Sequence, residues 1–191
     1  MYKNLLFCTC AIYNNWINLN KYYSTNMTDF FTKTDLSRNE AEKVVSETLN
    51  KCDDGELYLE NSKSESIMLD DDKIKSSTYK SDLGYGLRAI TGEVVAYSHS
   101  NEISKNSLKQ SADNLRSTLK SQNGIYNHEI PKTNEKFYKD ANPIEEKSLQ
   151  SKLELLKQVN SYTRAKGSIV QQVTASFAGE HKSIEMIRSG G

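Results

Sequence analysis

Residues 83–97 read LGYGLRAITGEVVAY, and apolar side chains alternate with other residues along the first half of this stretch. In a strand, alternate side chains point to opposite faces of the sheet. One face here carries Leu83, Tyr85, Leu87 and Ala89. Thr91-Gly92 is typical of a tight turn, after which residues 94–97 return as a second strand. The stretch therefore predicts a β-hairpin.

The same period of two recurs on both sides of this hairpin. Residues 56–60 place two leucines on one face and carboxylates on the other, Ile67 and Leu69 share a face, and residues 73–79 form a further short strand. Two more strands are expected near the C-terminus, the first with Ile169, Gln171, Val173, Ala175 and Phe177 on one face, the second with Ile184 and Met186. Several short strands joined by turns predict an antiparallel meander.

Two helices are indicated by capping and spacing. Ser37, three residues before Glu40, forms a capping box, and the apolar positions that follow predict a helix over about residues 38–51. Residues 108–119 carry apolar side chains at spacings of four, three and four, which predicts a second amphipathic helix. Its apolar face carries Leu108, Ala112, Leu115 and Leu119.

A third helix is expected after a polar connector at residues 121–142. Asn142 is a favourable N-cap, Pro143 suits the first helical position, and Gly167 can supply a left-handed C-terminal cap. The buried stripe of this helix carries Leu149, Leu153, Leu156 and Val159. Together the elements predict an α+β fold, with antiparallel sheet or sheets, packed amphipathic helices and βαβ-type meander units.

Two regions of the chain differ in character. Residues 1–26 are rich in asparagine and tyrosine and show no clear period, so we expect an unstructured or misassigned N-terminal extension, with a weak signal peptide as the alternative. Residues 27–191 form the predicted domain. Its last residues are Gly190-Gly191, a dipeptide that ordinarily joins two hairpin strands, so we expect truncation at the C-terminus.

Charge and composition exclude several classes of protein. Twenty-five basic residues balance 25 acidic ones, so no net field recruits nucleic acid or anionic lipid. No apolar run approaches the roughly 18 residues of a membrane span. The three cysteines are too few and odd in number for a disulfide framework, which favours a reducing compartment. Cys8 and Cys10 form a C-x-C without a second ligand pair, so zinc is not expected there.

The histidines do not predict a metal site. His128-Glu129 begins like the H-E-x-x-H motif of zinc enzymes, but Lys132 stands where the second histidine would lie. We interpret His99, near a strand end, and His181, near a hairpin, as ordinary surface or interface residues.

Two other motifs have plain structural explanations. Residues 84–89 match the dinucleotide fingerprint G-x-G-x-x-A, but they lie within a predicted strand rather than between a strand and a helix. Residues 53–72 hold eight acids against Lys63 and lack the spacing of a calcium loop. A solvated sheet face with a tight acidic turn accounts for them, and an acidic rim for a basic partner is the alternative.

Residues 55–60, 70–79 and 82–93 resemble, in this order, the N-terminal domain of the TldD/PmbA family, and more closely its TldD branch. The helix at residues 107–119 and the strand at residues 170–176 follow in the family's order, so that the resemblance covers about residues 27–191. It implies a cytoplasmic TldD–TldE (PmbA) heterodimer that acts as a zinc metalloprotease on short or unfolded peptides.

The resemblance implies that the TldD subunit carries its metal on an H-E-x-x-x-H helix, and this sequence has no such motif. No catalytic, metal-binding or cofactor-binding residue is therefore assigned, the substrate-binding residues are unknown, and zinc is expected only in the full-length family member. The expected partners are a TldE/PmbA-like subunit and a peptide, without nucleic acid or membrane. The balanced charge gives no support to an older family label, modulator of DNA gyrase.

Three hypotheses for function follow. The chain is the N-terminal part of a TldD-type metalloprotease subunit and supplies peptide-groove walls and subunit contacts, or it is a truncated, non-catalytic remnant that binds a peptide or a partner. Peptide capture by strand edges suits such a remnant, because backbone pairing tolerates many sequences. The third hypothesis is an unrelated α+β binding module.

Deletion of residues 1–26 is predicted to leave the melting temperature unchanged, because this region lacks the periodicity of a packed element. Thermal unfolding of the full and shortened chains, followed by circular dichroism, checks this. A large drop in melting temperature on deletion would contradict it.

Overall fold

The computed structural model describes residues 30–119, 124 and 142–188. Seven elements lie within them in chain order: α1 (Arg38–Leu49), β1 (Asp54–Asp70), β2 (Lys73–Thr91), β3 (Val94–Ser100), α2 (Lys105–Thr118), α3 (Leu149–Arg164) and β4 (Thr174–Ile187). The strands form one sheet in the order β3-β2-β1-β4. The expected α+β class is confirmed.

The chain divides into two compact units. Within the described residues, the first unit comprises residues 63–80 and 142–181. The second unit comprises residues 30–62, 81–119, 124 and 182–188. Strands β1, β2 and β4 each contribute residues to both units, so the boundary falls within strands rather than in linkers.

Tight turns connect the first three strands. Asp71 and Asp72 both have positive φ, 47° and 65°, as the central residues of a type I′ hairpin turn require. Gly92, with φ 57°, turns β2 into β3, and these strands pair antiparallel from Tyr85 opposite Ser100 to Thr91 opposite Val94. Both the hairpin predicted at Thr91-Gly92 and the tight acidic turn are therefore present.

The strands are longer and fewer than predicted. Residues 56–60 and 67–69 belong to one strand, β1, and the short strand at residues 73–79 continues through residue 91 as β2. The expected pair of C-terminal strands is also wrong, because β4 runs unbroken from Thr174 to Ile187. Gly179 lies inside β4 without positive φ, so it makes no turn there.

Helix α1 has the predicted capping box. The Ser37 amide donates to Glu40 Oε2 at 2.9 Å, and the Glu40 amide donates to Ser37 Oγ at 3.4 Å. Glu40 also pairs with Lys105 of α2 at 2.7 Å. The Lys105 ammonium, together with the Ser37 hydroxyl and amide, lowers the pKa of Glu40 to about 2. The cap therefore fixes both the start of α1 and a contact with α2.

The predicted start of the third helix is wrong. The Asn142 side chain accepts from the Ile144 amide at 3.1 Å and its carbonyl accepts from the Glu145 amide, which closes a turn instead. Ser148 is the N-cap, so α3 begins at Leu149. Leu149 is exposed rather than buried. Gly167 has positive φ, but it lies two residues beyond the C-cap, Ala165.

The core of the second unit joins α1 and α2 to the sheet. Its helical members come mainly from the faces that the sequence predicted, and its strand members alternate along β1 and β2. They include Ala41, Val45, Leu49, Leu57, Leu59, Tyr85, Leu87, Ala89, Leu108, Ala112 and Leu115. Leu83, expected on the same face, is exposed.

The first unit has a small core with a buried ion pair. Ile67, Leu69, Leu156 and Ala175 form its apolar cluster. Beside it, Lys152 of α3, 5% exposed in its side chain, pairs with Glu65 of β1, which is 10% exposed. Lys152 Nζ also donates to the Ile144 carbonyl at 2.6 Å. One side chain therefore ties α3 to β1 and to the turn that precedes the helix.

Lys152→Met is predicted to destabilise the protein by about 3–5 kcal/mol, because it leaves a buried carboxylate without its partner. The double variant Lys152→Met with Glu65→Leu should recover most of that loss. Chemical denaturation measures both. The matched control is Lys63→Met at the more exposed Lys63–Glu145 pair, where the expected loss is about 0–1 kcal/mol. Equal losses of stability in the single variants Lys152→Met and Lys63→Met would contradict the conclusion that the Lys152–Glu65 pair is the buried one.

Candidate functional site

The described residues contain no group of three or more His, Cys, Asp or Glu that could hold a metal ion. His99 lies in β3, is exposed, and stacks on Tyr97 with 5.7 Å between ring centroids. His181 lies within β4 rather than near a hairpin. His128, Cys8 and Cys10 lie outside the described residues. Cys52 is a buried free cysteine.

The G-x-G-x-x-A motif lies inside β2, as predicted, and serves the packing of β3. A Cβ atom on Gly84 would lie 2.8 Å from the Ser100 carbonyl oxygen, and one on Gly86 would lie 2.7 Å from the Tyr97 hydroxyl oxygen. The motif is not followed by a helix whose N-terminus could face a pyrophosphate, since β2 turns directly into β3. These glycines are therefore explained by close approach between strands.

In the second unit, acids of β1 bind cations from neighbouring strands. Arg88 of β2 contacts Glu56 at 3.0 Å and Asp54 at 4.0 Å, and Arg188 contacts the same two carboxylates at 3.5 and 3.4 Å. These four residues form a half-exposed network of balanced charge. The expected solvated acidic face is therefore largely neutralised here.

A hydrogen bond joins two further residues of β1 in this unit. The Tyr58 hydroxyl donates to Glu60 at 2.5 Å, and Lys182 of β4 pairs with Glu60 at 3.2 Å. The hydrogen bond to Glu60 raises the pKa of Tyr58 to about 12, and the same bond, with Lys182, lowers the pKa of Glu60. Both groups keep their usual charge at neutral pH, so this contact is structural.

In the first unit, the acids of the β1–β2 turn face β4 and α3. Asp70 accepts from Gln172 and Thr174, each at 2.9 Å, which lowers the pKa of Asp70. Asp71 pairs with Arg164 of α3 and accepts from the Val173 amide at 3.0 Å. These contacts bind the turn to the segment that leads into β4. The predicted acidic rim is thus used within the chain.

The first unit also contains a shallow groove of about 460 Å³. Polar side chains line it, among them Ser64, Ser66, Thr78, Lys80 and Glu180, and Gly179 lies in its wall. Hydroxyl, ammonium and carboxylate groups can hydrogen-bond to a polar chain laid across the strands.

The most exposed strand segment of the first unit is the free β2 edge, which we define as Lys73–Lys80. Every one of its residues is exposed. Pairing between β2 and β3 begins only at Tyr85, so in the described residues no strand pairs with this segment on the β3 side. Unpaired strand amides and carbonyls can accept an added strand. We take this edge, with the adjoining groove, as the candidate functional site.

Sequence reasoning identified a strand at residues 73–79 but not its free edge. The available signal was composition, because residues 73–80 carry three lysines and only two large apolar residues, unlike the alternating Leu83–Ala89. Lysines and a lack of alternation are typical of edge strands that face solvent on both sides. Local composition does not show how far the neighbouring strand extends along β2.

Part of the chain is similar in sequence to a metallopeptidase domain. Residues 55–119 match the sequence model described as PmbA/TldA metallopeptidase domain 1. The chain is 34% identical over 142 residues to a metalloprotease TldD homolog of Buchnera aphidicola subspecies Acyrthosiphon pisum, and 28% identical over 145 residues to one of Haemophilus influenzae. These matches cover 74% and 73% of the chain but only 29% and 30% of the two relatives.

A solved structure shares the fold. It is assigned as a modulator of DNA gyrase from Bacteroides thetaiotaomicron, and it superposes with a TM-score of 0.54 and 15% identity, over 81% of this chain and 38% of that one. The sequence matches, rather than this structure, count against the hypothesis of an unrelated α+β module. Within the described residues, the helices are all too short or too polar to span a membrane.

Alanine at Gly84 is predicted to destabilise the protein more than alanine at Gly86. At Gly84 the new methyl group would meet the backbone carbonyl of Ser100, whereas at Gly86 it would meet the movable ring of Tyr97. Chemical denaturation of the two variants checks the order, and Gly92→Ala, at a position with positive φ and open space, isolates the backbone cost. A larger loss of stability for alanine at Gly86 than at Gly84 would contradict the close approach of the Ser100 carbonyl to Gly84.

Proposed function

We propose that this chain is the N-terminal portion of a TldD-type metalloprotease subunit. The premise of this proposal is the confirmed resemblance of the chain to the N-terminal domain of the TldD/PmbA family. In this role it binds extended peptide and a TldE/PmbA-like subunit in the cytoplasm. The hydrolytic step belongs to residues that the chain does not contain. The observation that carries the proposal is the match of residues 55–119 to the first metallopeptidase domain.

The family implies zinc, and the residues present do not fit it. The described residues bring no three ligands together, and the 191-residue sequence has no H-E-x-x-x-H motif. A catalytic zinc needs three protein ligands and an open position. We therefore assign no step of hydrolysis to this chain.

The free β2 edge and its groove support a role in holding peptides. A peptide that pairs with a strand edge is held through its backbone, so that side chains of many kinds are accepted. Short or unfolded peptides have unpaired amides and carbonyls for such pairing, whereas folded proteins have few. This mode of binding suits the substrates that the family resemblance implies.

A non-catalytic remnant that only binds a peptide or partner is the second candidate. This candidate uses the same strand edge and groove, and the lack of an H-E-x-x-x-H motif in this sequence is compatible with both candidates. The two candidates predict different activity. The N-terminal portion of an active subunit hydrolyses peptide once another polypeptide completes the subunit, whereas a non-catalytic remnant does not.

The purified chain is predicted to bind no stoichiometric zinc and to cleave no peptide, and to form a complex with a TldE/PmbA-type subunit. Elemental analysis, a fluorogenic peptide assay and size-exclusion chromatography measure the three properties. One tightly bound zinc per chain, or cleavage by the chain alone, would contradict the assignment of hydrolysis elsewhere. Separate elution of the two proteins at high concentration would contradict the role in subunit contact.

A further inference from the structure

The free β2 edge exposes apolar side chains as well as backbone. Ile74 is 54% exposed and Tyr79 is 57% exposed. Strand edges that are only protected from aggregation carry charge, proline or a bulge. Two large exposed apolar residues on such an edge add contact area that an incoming strand would bury. The lysines of this edge match the charge that protects strand edges, whereas Ile74 and Tyr79 do not.

The charge of the free β2 edge has one sign. It contains Lys73, Lys75 and Lys80 and no acidic residue. Lys75 pairs with Asp70 at 3.6 Å, with side chains that are 64% and 23% exposed. In the part of the chain that the structure describes, no ion pair involves Lys73 or Lys80.

Asp70, Asp71 and Asp72, the acids next in sequence, offset part of this charge. Asp70 accepts hydrogen bonds from Gln172 and Thr174, and Asp71 pairs with Arg164. Asp71 is thus engaged on the α3 side of the turn, whereas Asp70 also pairs with Lys75 of the edge itself. With Lys75 paired, Lys73 and Lys80 supply the positive charge that an added strand would meet, beside the exposed carboxylate of Asp72.

We propose that the free β2 edge binds an extended acidic polypeptide segment, which adds to the sheet beside Lys73–Lys80 through main-chain hydrogen bonds. The lysines select acidic side chains, and Ile74 and Tyr79 pack against the apolar ones. This inference rests on the proposed function, in which the chain holds extended peptide, and it names the class of segment that is held. Like-charged basic segments are rejected, because juxtaposed charges of one sign repel.

Fluorescein-labelled octapeptides test the proposal by fluorescence anisotropy. One alternates glutamate and threonine, and its match alternates lysine and threonine, so that length and strand propensity are equal. The acidic octapeptide should bind at least about tenfold more tightly, and its affinity should fall as salt is added. N-methylation of its alternate amides should abolish binding, because it removes the donors for strand pairing.

Charge reversal locates the site. The triple variant Lys73→Glu, Lys75→Glu, Lys80→Glu should weaken binding of the acidic octapeptide at least about tenfold. The control triple variant changes three exposed lysines elsewhere and should bind as the unmodified chain does: Lys33→Glu, Lys109→Glu and Lys157→Glu. Circular dichroism verifies that both variants fold. If the edge variant fails to fold, the salt and N-methyl series on the unmodified chain decides.

Three results would overturn the inference: equal binding of the two octapeptides, full affinity in the edge variant, or full affinity of the N-methylated peptide. Equal binding would remove the acidic preference while leaving the proposed function in place. Failure to assemble with a TldE/PmbA-type subunit, with acidic binding intact, would instead count against the proposed function alone.

Discussion

The difference in length between β2 and β3 is the constraint on which this account depends. β2 spans 19 residues and β3 spans seven, and their pairing covers only residues 85–91 of β2. Where a strand extends beyond its neighbour, its backbone donors and acceptors face solvent. Each of these groups can form a hydrogen bond with another chain. The candidate site is a consequence of this mismatch.

Glycine and charge together make the arrangement possible. Gly84 and Gly86 let β3 approach β2 closely where the two strands do pair. Farther along β2, Arg164 pairs with Asp71 and Lys75 pairs with Asp70, so Lys73 and Lys80 are the lysines of the free β2 edge without an ion pair among the described residues. The same strand is therefore packed tightly in one unit and exposed in the other.

Local patterns predicted the elements well, and their connections less well. The capping box at Ser37 and the turn at Gly92 were read from the sequence because each depends on neighbouring residues only. The start of α3 was misplaced because two caps compete there, and Asn142 closes a turn while Ser148 begins the helix. The buried Lys152–Glu65 pair joins residues 87 positions apart, which no local pattern reveals. The free edge was missed for the same reason, since it depends on where β3 ends.

Hydrogen–deuterium exchange of the amides along β2 tests the central claim most directly. The account predicts that outward-facing amides of residues 73–80 exchange much faster than the paired amides of residues 85–91, since exchange requires that a hydrogen bond be absent or broken. Uniformly slow exchange from residue 73 to residue 91 would show that the edge is already paired, and would contradict the account.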